Sequence, residues 1–64
     1  MVLIPVDSTA IAAVGYEGNT LAIEFHDNPI IYEFPRVPYS VYRELLNADS
    51  PGTYYNLYIR GWYG

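Results

Sequence analysis

Two runs of alternating apolar and polar residues organise this chain. Leu21, Ile23 and Phe25 alternate with Ala22, Glu24 and His26, and after Asp27-Asn28-Pro29 the alternation resumes with Ile30, Tyr32 and Phe34 against Ile31 and Glu33. A period of two marks a half-buried strand. Asp and Asn accept turn dihedrals, and Pro cannot donate to a strand ladder. The stretch therefore predicts an antiparallel hairpin that turns at Asp27-Asn28-Pro29, with one apolar, aromatic face and another face carrying Glu24, His26 and Glu33. A preceding strand is predicted from Ile11 to Tyr16, with Ala12, Val14 and Tyr16 on one side and Ile11, Ala13 and Gly15 on the other. Glu17-Gly18-Asn19 joins it to the hairpin, Gly18 supplying a positive φ at little cost. Ahead of these lies the short apolar run Val2-Leu3-Ile4, stopped by Pro5. The pattern leaves two readings of it open, an edge strand or an arm packed on a neighbouring subunit.

Beyond Phe34 the period changes. Pro35 and Pro38 end the third strand, and Pro38 suits the first helical position, where its missing N–H is no loss. Val41, Leu45 and Ala48 then fall at helical spacing with Leu46 alongside, while Ser40, Arg43, Glu44 and Asn47 face away. A helix from about Pro38 to Ala48 is predicted. Ser50-Pro51 reads as an N-cap and first helical residue of a second, short helix through Ile59. The fold expected is one α+β domain over residues 1–64: a three-stranded antiparallel β-meander packed by one α-helix and a short C-terminal helix.

Composition narrows the chemistry. The chain has 64 residues and no cysteine, so disulfides and thiolate metal sites are excluded, and one histidine makes a His-based zinc site improbable. A chain this short buries only roughly 60% of its unfolded surface. Eight tyrosines, two phenylalanines and one tryptophan are a large aromatic load for such a core, which predicts a homo-oligomer with aromatics at its interface. Three arginines, no lysine and seven carboxylates give a formal charge of −4. Gripping duplex DNA requires a basic patch that this chain cannot build. A basic membrane-surface helix and a stretch long enough to span a bilayer are both lacking. The opening Met-Val-Leu-Ile-Pro has no positively charged start and is broken by Pro5, so no secretory signal is read there and a cytoplasmic protein is expected.

No catalytic, metal or cofactor set emerges. His26 beside Asp27 and Glu24 reads as a solvated sheet face next to a turn. Ser8 and Ser50 lie in no nucleophile elbow, and no phosphate-binding glycine loop is present. A non-enzymatic protein is expected. The unusual feature is the series Tyr54, Tyr55, Tyr58, Trp62 and Tyr63 with Asn56 and Arg60 interleaved. Aromatic faces stack on bases, arginine meets phosphate, and an amide reads a base edge. Tyr32, Arg36, Tyr55, Asn56 and Arg60 are the candidate ligand-binding residues, for a nucleotide-like ligand or short single-stranded RNA. The competing reading is a protein-interaction or assembly module, in which the aromatics serve core and interface alone.

The order Ser8…Ile11…Val14-Gly15-Tyr16, Leu21…Ile23…Phe25, Tyr32-Glu33-Phe34, Val37-Pro38, Val41-Tyr42, Leu45-Leu46…Ala48, Ser50-Pro51-Gly52 and Tyr55-Asn56…Ile59 resembles the KTSC domain. That family takes its name from a domain at the C-terminus of some lysyl-tRNA synthetases and also comprises small bacterial and phage proteins. The resemblance runs from about residue 6 to 63 and implies RNA binding. The family's central Y-x-Y is Tyr32-Glu33-Phe34 here, without the second hydroxyl.

Overall fold

The computed structural model describes residues 1–63, so Gly64, the end of the expected domain and of its aromatic tail, lies outside the described residues. The elements are β1 (Ile4–Pro5), β2 (Ile11–Glu17), β3 (Thr20–Phe25), β4 (Asn28–Phe34), α1 (Tyr39–Asn47) and α2 (Pro51–Tyr58). The strands form one antiparallel sheet in the order β1-β2-β3-β4. The α+β class matches the expectation, but the expected three-stranded meander is corrected to four strands. Ile4 and Pro5 pair with Val14 and Ala13 at the sheet edge, a position that tolerates a residue without an N–H. Two paired residues are too few to display a period, which is why the strand is invisible as alternation.

The register divides the sheet into two faces. Val14 opposes Ile23 and Tyr16 opposes Leu21, and across β3 Ile23 opposes Tyr32 and Leu21 opposes Phe34. This face meets the helices. Ile11 was expected on the opposite side from Val14, and the structure corrects this. A shift in register between Ile11 and Ala13 brings Ile11 opposite Phe25, and Ile11 is fully buried with Val14, Leu21, Ile23, Val37, Tyr42, Leu45 and Ile59 in the main core. One extra residue in a strand reverses the side every earlier residue faces.

The other sheet face carries Glu24, Ile31 and Glu33 toward the β4 edge and small residues toward the β1 edge. Ala13, Gly15 and Ala22 are buried there, and the chain's first three residues lie over Gly15. A Cβ added to Gly15 would stand 2.7 Å from Leu3 Cδ2 and 2.8 Å from the Val2 carbonyl oxygen. Next, Ser8 Oγ accepts from the backbone N–H groups of Ala10 (3.2 Å) and Ile11 (3.1 Å), shaping the turn into β2.

Pro38 precedes α1 in an extended conformation (φ −62°, ψ 147°), so the helix begins one residue later than expected. Its buried residues are Tyr42 and Leu45, with Val41 and Leu46 half-buried. Tyr42 stacks on Tyr16 at 5.1 Å, and the Tyr16 hydroxyl donates to the Val37 carbonyl. The expected cap of α2 is present: Ser50 Oγ accepts from Thr53 N at 3.4 Å, with Pro51 at the first helical position. Ile59, the C-cap of α2, seals the core.

The candidate site, an aromatic groove at the hairpin tip

The β3–β4 turn is His26-Asp27, one residue earlier than the expected Asp27-Asn28-Pro29. Asn28 already pairs with Phe25, and the next pair is Glu24 with Ile31, so Pro29 and Ile30 form a bulge in β4. Asn28 sustains it by accepting the Ile30 N–H on Oδ1 (3.1 Å), a short local bond of the kind that favours Asn at turns. Its Nδ2 donates to the Tyr32 hydroxyl at 2.9 Å. The bulge thus aims Asn28 at Tyr32 and fixes the phenol.

Behind Tyr32 the aromatic rings meet edge to face. Phe25 contacts Tyr32 (5.8 Å, 69°) and Tyr55 of α2 (5.2 Å, 69°), and Phe34 contacts Tyr55 (6.0 Å, 63°). Just past α2, the backbone N–H of Arg60 donates to the Tyr55 carbonyl at 2.8 Å. Phe25, Asp27, Asn28, Tyr32, Tyr55 and Arg60 together line an open groove of about 310 Å³. That is at the lower end of the roughly 300–1,000 Å³ of small-molecule clefts. Arg60 is exposed, and among the described residues its guanidinium joins no ion pair. The groove therefore offers aromatic faces, one free cation, one carboxylate and a phenol whose proton is not given to Asn28.

Of the five residues proposed from sequence, Tyr32, Tyr55 and Arg60 share this groove. Asn56 does not line it. It is exposed on α2, one residue and about 100° around the helix from Tyr55. Arg36 lies in a neighbouring cleft with Pro35, Gly61, Trp62 and Tyr63. Phe25, Asp27 and Asn28 were not foreseen as groove residues. The first looked like core and the others like turn, although the alternation already set Phe25 and Tyr32 on one face.

His26 is exposed, with Nε2 2.9 Å from the Ser8 carbonyl. A carbonyl only accepts, so Nε2 carries the proton in this bond. The backbone N–H of His26 also donates to the Ala10 carbonyl at 3.0 Å. His26 thus ties the hairpin tip to the turn before β2. Among the described residues no three His, Asp or Glu side chains gather as a metal site.

Residues 7–63 match the model of the KTSC domain. The chain belongs to the KTSC domain family. Two lysine–tRNA ligases, from Nostoc sp. and Nostoc punctiforme, are 41% and 39% identical to it over 61 residues, covering 92% of this chain. The KTSC domain here spans only 11% of the length of those relatives. A crystal structure of a KTSC domain protein from Yersinia pestis superposes with a TM-score of 0.90 at 28% identity, over 97% of this chain and 89% of that one. In this KTSC domain Phe34 closes the Tyr32-Glu33-Phe34 run at the end of β4. Its ring packs edge-on against Tyr55, a contact that a phenyl group makes without a hydroxyl. Among the described residues no helix of this KTSC domain is long and apolar enough to cross a membrane.

Proposed function

We propose that this KTSC domain is a non-catalytic binding module that holds the base and phosphate of a nucleotide, free or within a short single-stranded RNA, in the Tyr32–Tyr55–Arg60 groove. The observation that carries the reading is the convergence of two tyrosines from separate elements with an arginine that joins no ion pair among the described residues. Aromatic rings accept any base by stacking, and a guanidinium matches phosphate with a rigid fork of donors. The names of the matched relatives, lysine–tRNA ligases, also supply an RNA among the molecules such proteins act on. The groove is small and its charge modest. Each phosphate neutralised on a single strand contributes a slope of about −0.7 in log affinity against log salt, so one arginine gives a shallow dependence, and duplex DNA is not a partner. The non-catalytic part of the reading draws on the residues that chemistry would need: His26 is bonded to the Ser8 carbonyl, and Ser50 caps α2.

The test is a titration of nucleoside monophosphates and short single-stranded RNAs at two salt concentrations, on the wild type and on Arg60→Ala and Tyr32→Ala. Both variants alter exposed residues. Binding that weakens in both is expected. Affinity unaffected by either variant contradicts the site.

A second reading rests on a different surface. Val41, Tyr54, Tyr58, Trp62 and Tyr63 form an apolar cleft beside the exposed Leu57, which suits self-association. Sedimentation at micromolar concentration is expected to show a dimer or larger species, and a monomer at high concentration removes this reading.

A further inference from the structure

We infer that the cleft of Pro35, Arg36, Gly61, Trp62 and Tyr63 is a second nucleotide subsite, so that the domain takes a single strand of RNA across two clefts. The inference rests on the nucleotide reading of the first groove. The same two chain segments line both sites: the first takes Tyr32 and Arg60, and the second takes Pro35-Arg36 and Gly61-Trp62-Tyr63. Arg60 of the first and Gly61 of the second are consecutive residues, so the two clefts meet along the chain there.

Arg36 is the one non-glycine residue with positive φ among the described residues, at 57°. That region crowds Cβ, and apart from glycine it is visited mainly by Asn and Asp, whose short side chains bond locally. Arginine has no such compensation. Its neighbours hold it there. Pro35 has a fixed φ, while Val37 is fully buried and bonded through its N–H to the Asn19 carbonyl (2.8 Å) and through its carbonyl to Tyr16. Glycine or Asn would turn the chain at lower cost, but the position carries an exposed guanidinium. Sparsely populated backbone conformations held by fixed flanks concentrate at ligand sites.

Trp62 provides the second component. It is 74% exposed, yet its indole N–H donates to the Leu57 carbonyl at 3.2 Å. The turn at Gly61 (φ 82°) presents it. A large ring in solvent with a tethered orientation is a stacking platform prepared in advance. Among the described residues no acidic side chain lines this cleft. Arg36 and Arg60 are two of the three arginines on a chain of net charge −4, one in each cleft. With one arginine in each cleft, the expected salt slope is about −1.4 for a strand that spans both and about −0.7 for a strand held by one.

The rival explanation is that residue 36 only makes the turn from β4 to α1. Arg36→Asn separates the two, because Asn accepts the same φ without the charge. Uridine monophosphate and short oligouridylate and oligoadenylate are titrated against the wild type, Arg36→Asn, Trp62→Ala and Arg60→Ala, with circular dichroism verifying that each is folded. The oligonucleotides are expected to bind about tenfold or more tighter than the monophosphate, as one added stacked base implies. Arg36→Asn and Trp62→Ala should remove that advantage, and Arg36→Asn should also lower the salt slope of oligonucleotide binding from about −1.4 to about −0.7. Arg60→Ala should weaken both ligands. Equal affinity for monophosphate and oligonucleotide, or oligonucleotide binding untouched by Arg36→Asn and Trp62→Ala, overturns the second subsite while the first groove stands. No binding of any of these ligands overturns both.

Discussion

Replacing Gly15 with alanine tests how the small-residue face of the sheet is closed. Glycine inside a strand is intrinsically worse than alanine by roughly 0.5–1 kcal/mol, so by propensity the change should stabilise. The structure opposes this. The new methyl would sit 2.7 Å from Leu3 Cδ2 and 2.8 Å from the Val2 carbonyl oxygen. The leucine tip can rotate away, but the carbonyl belongs to the backbone and moves only if the whole N-terminal segment shifts. Overpacking of this kind costs about 1–3 kcal/mol, so against that gain the net effect in the intact chain is a loss of up to about 2.5 kcal/mol. A domain this small commands only about 3–5 kcal/mol, and the loss is easily read in a urea titration followed by far-ultraviolet circular dichroism. The same substitution in a chain lacking Met1, Val2 and Leu3 meets no obstacle from them. There it should be neutral or stabilising, a reversal of sign. Equal destabilisation in both backgrounds refutes the placement of the N-terminal segment over Gly15.

Other expectations concern the helices. Leu45 is 1% exposed at the centre of α1, and Leu45→Ala should cost about 2–5 kcal/mol, leaving the domain largely unfolded; an unchanged thermal midpoint places Leu45 outside the core. Tyr54 on α2 donates its hydroxyl to Glu44 Oε1 on α1 at 2.7 Å. Burial, then the bond to the Glu44 carboxylate, pushes its pKa up from 10.0 to about 12. Because the folded state raises this pKa, the contribution is fully present below pH 10 and is lost as pH climbs toward 12. Burial and the neighbouring Tyr39 raise the Tyr42 pKa in the same direction. Stability should therefore fall on the alkaline side, and Tyr54→Phe should flatten part of that fall in denaturation curves taken across this pH range; an identical alkaline profile in the variant contradicts the link.

The parts of this fold that announce themselves in sequence are those where a period is long enough to count. Leu21, Ile23 and Phe25 display the core face of β3, and Ser50-Pro51 declares the start of α2 by its chemistry. The two residues of β1 have no period. The bulges at Ala12 and at Pro29-Ile30 are set by pairing across the sheet, so Ile11 was assigned to the wrong face from its own neighbours. Tyr42 escaped the apolar stripe of α1 because tyrosine is ambiguous by type; its burial follows from stacking on Tyr16 of a distant strand. For the groove, composition pointed to aromatics and arginine, and the fold gathers Tyr32, Tyr55 and Arg60. Adjacent residues on a helix diverge, which separates Asn56 from Tyr55. The bend at Arg36 depends on how β4 leaves the sheet, and no local pattern forecasts a positive φ on an arginine.

The proposed nucleotide site is tested most directly by amide chemical shifts recorded as uridine or adenosine monophosphate is added to the full chain. Binding in the groove should move the amides of Asp27, Asn28, Tyr32, Tyr55 and Arg60, and leave Arg43 and Asn47 on the outer side of α1 still. Saturating shifts confined to that first set are the expected result. Shifts centred elsewhere on the domain, or no shifts at millimolar nucleotide, contradict it.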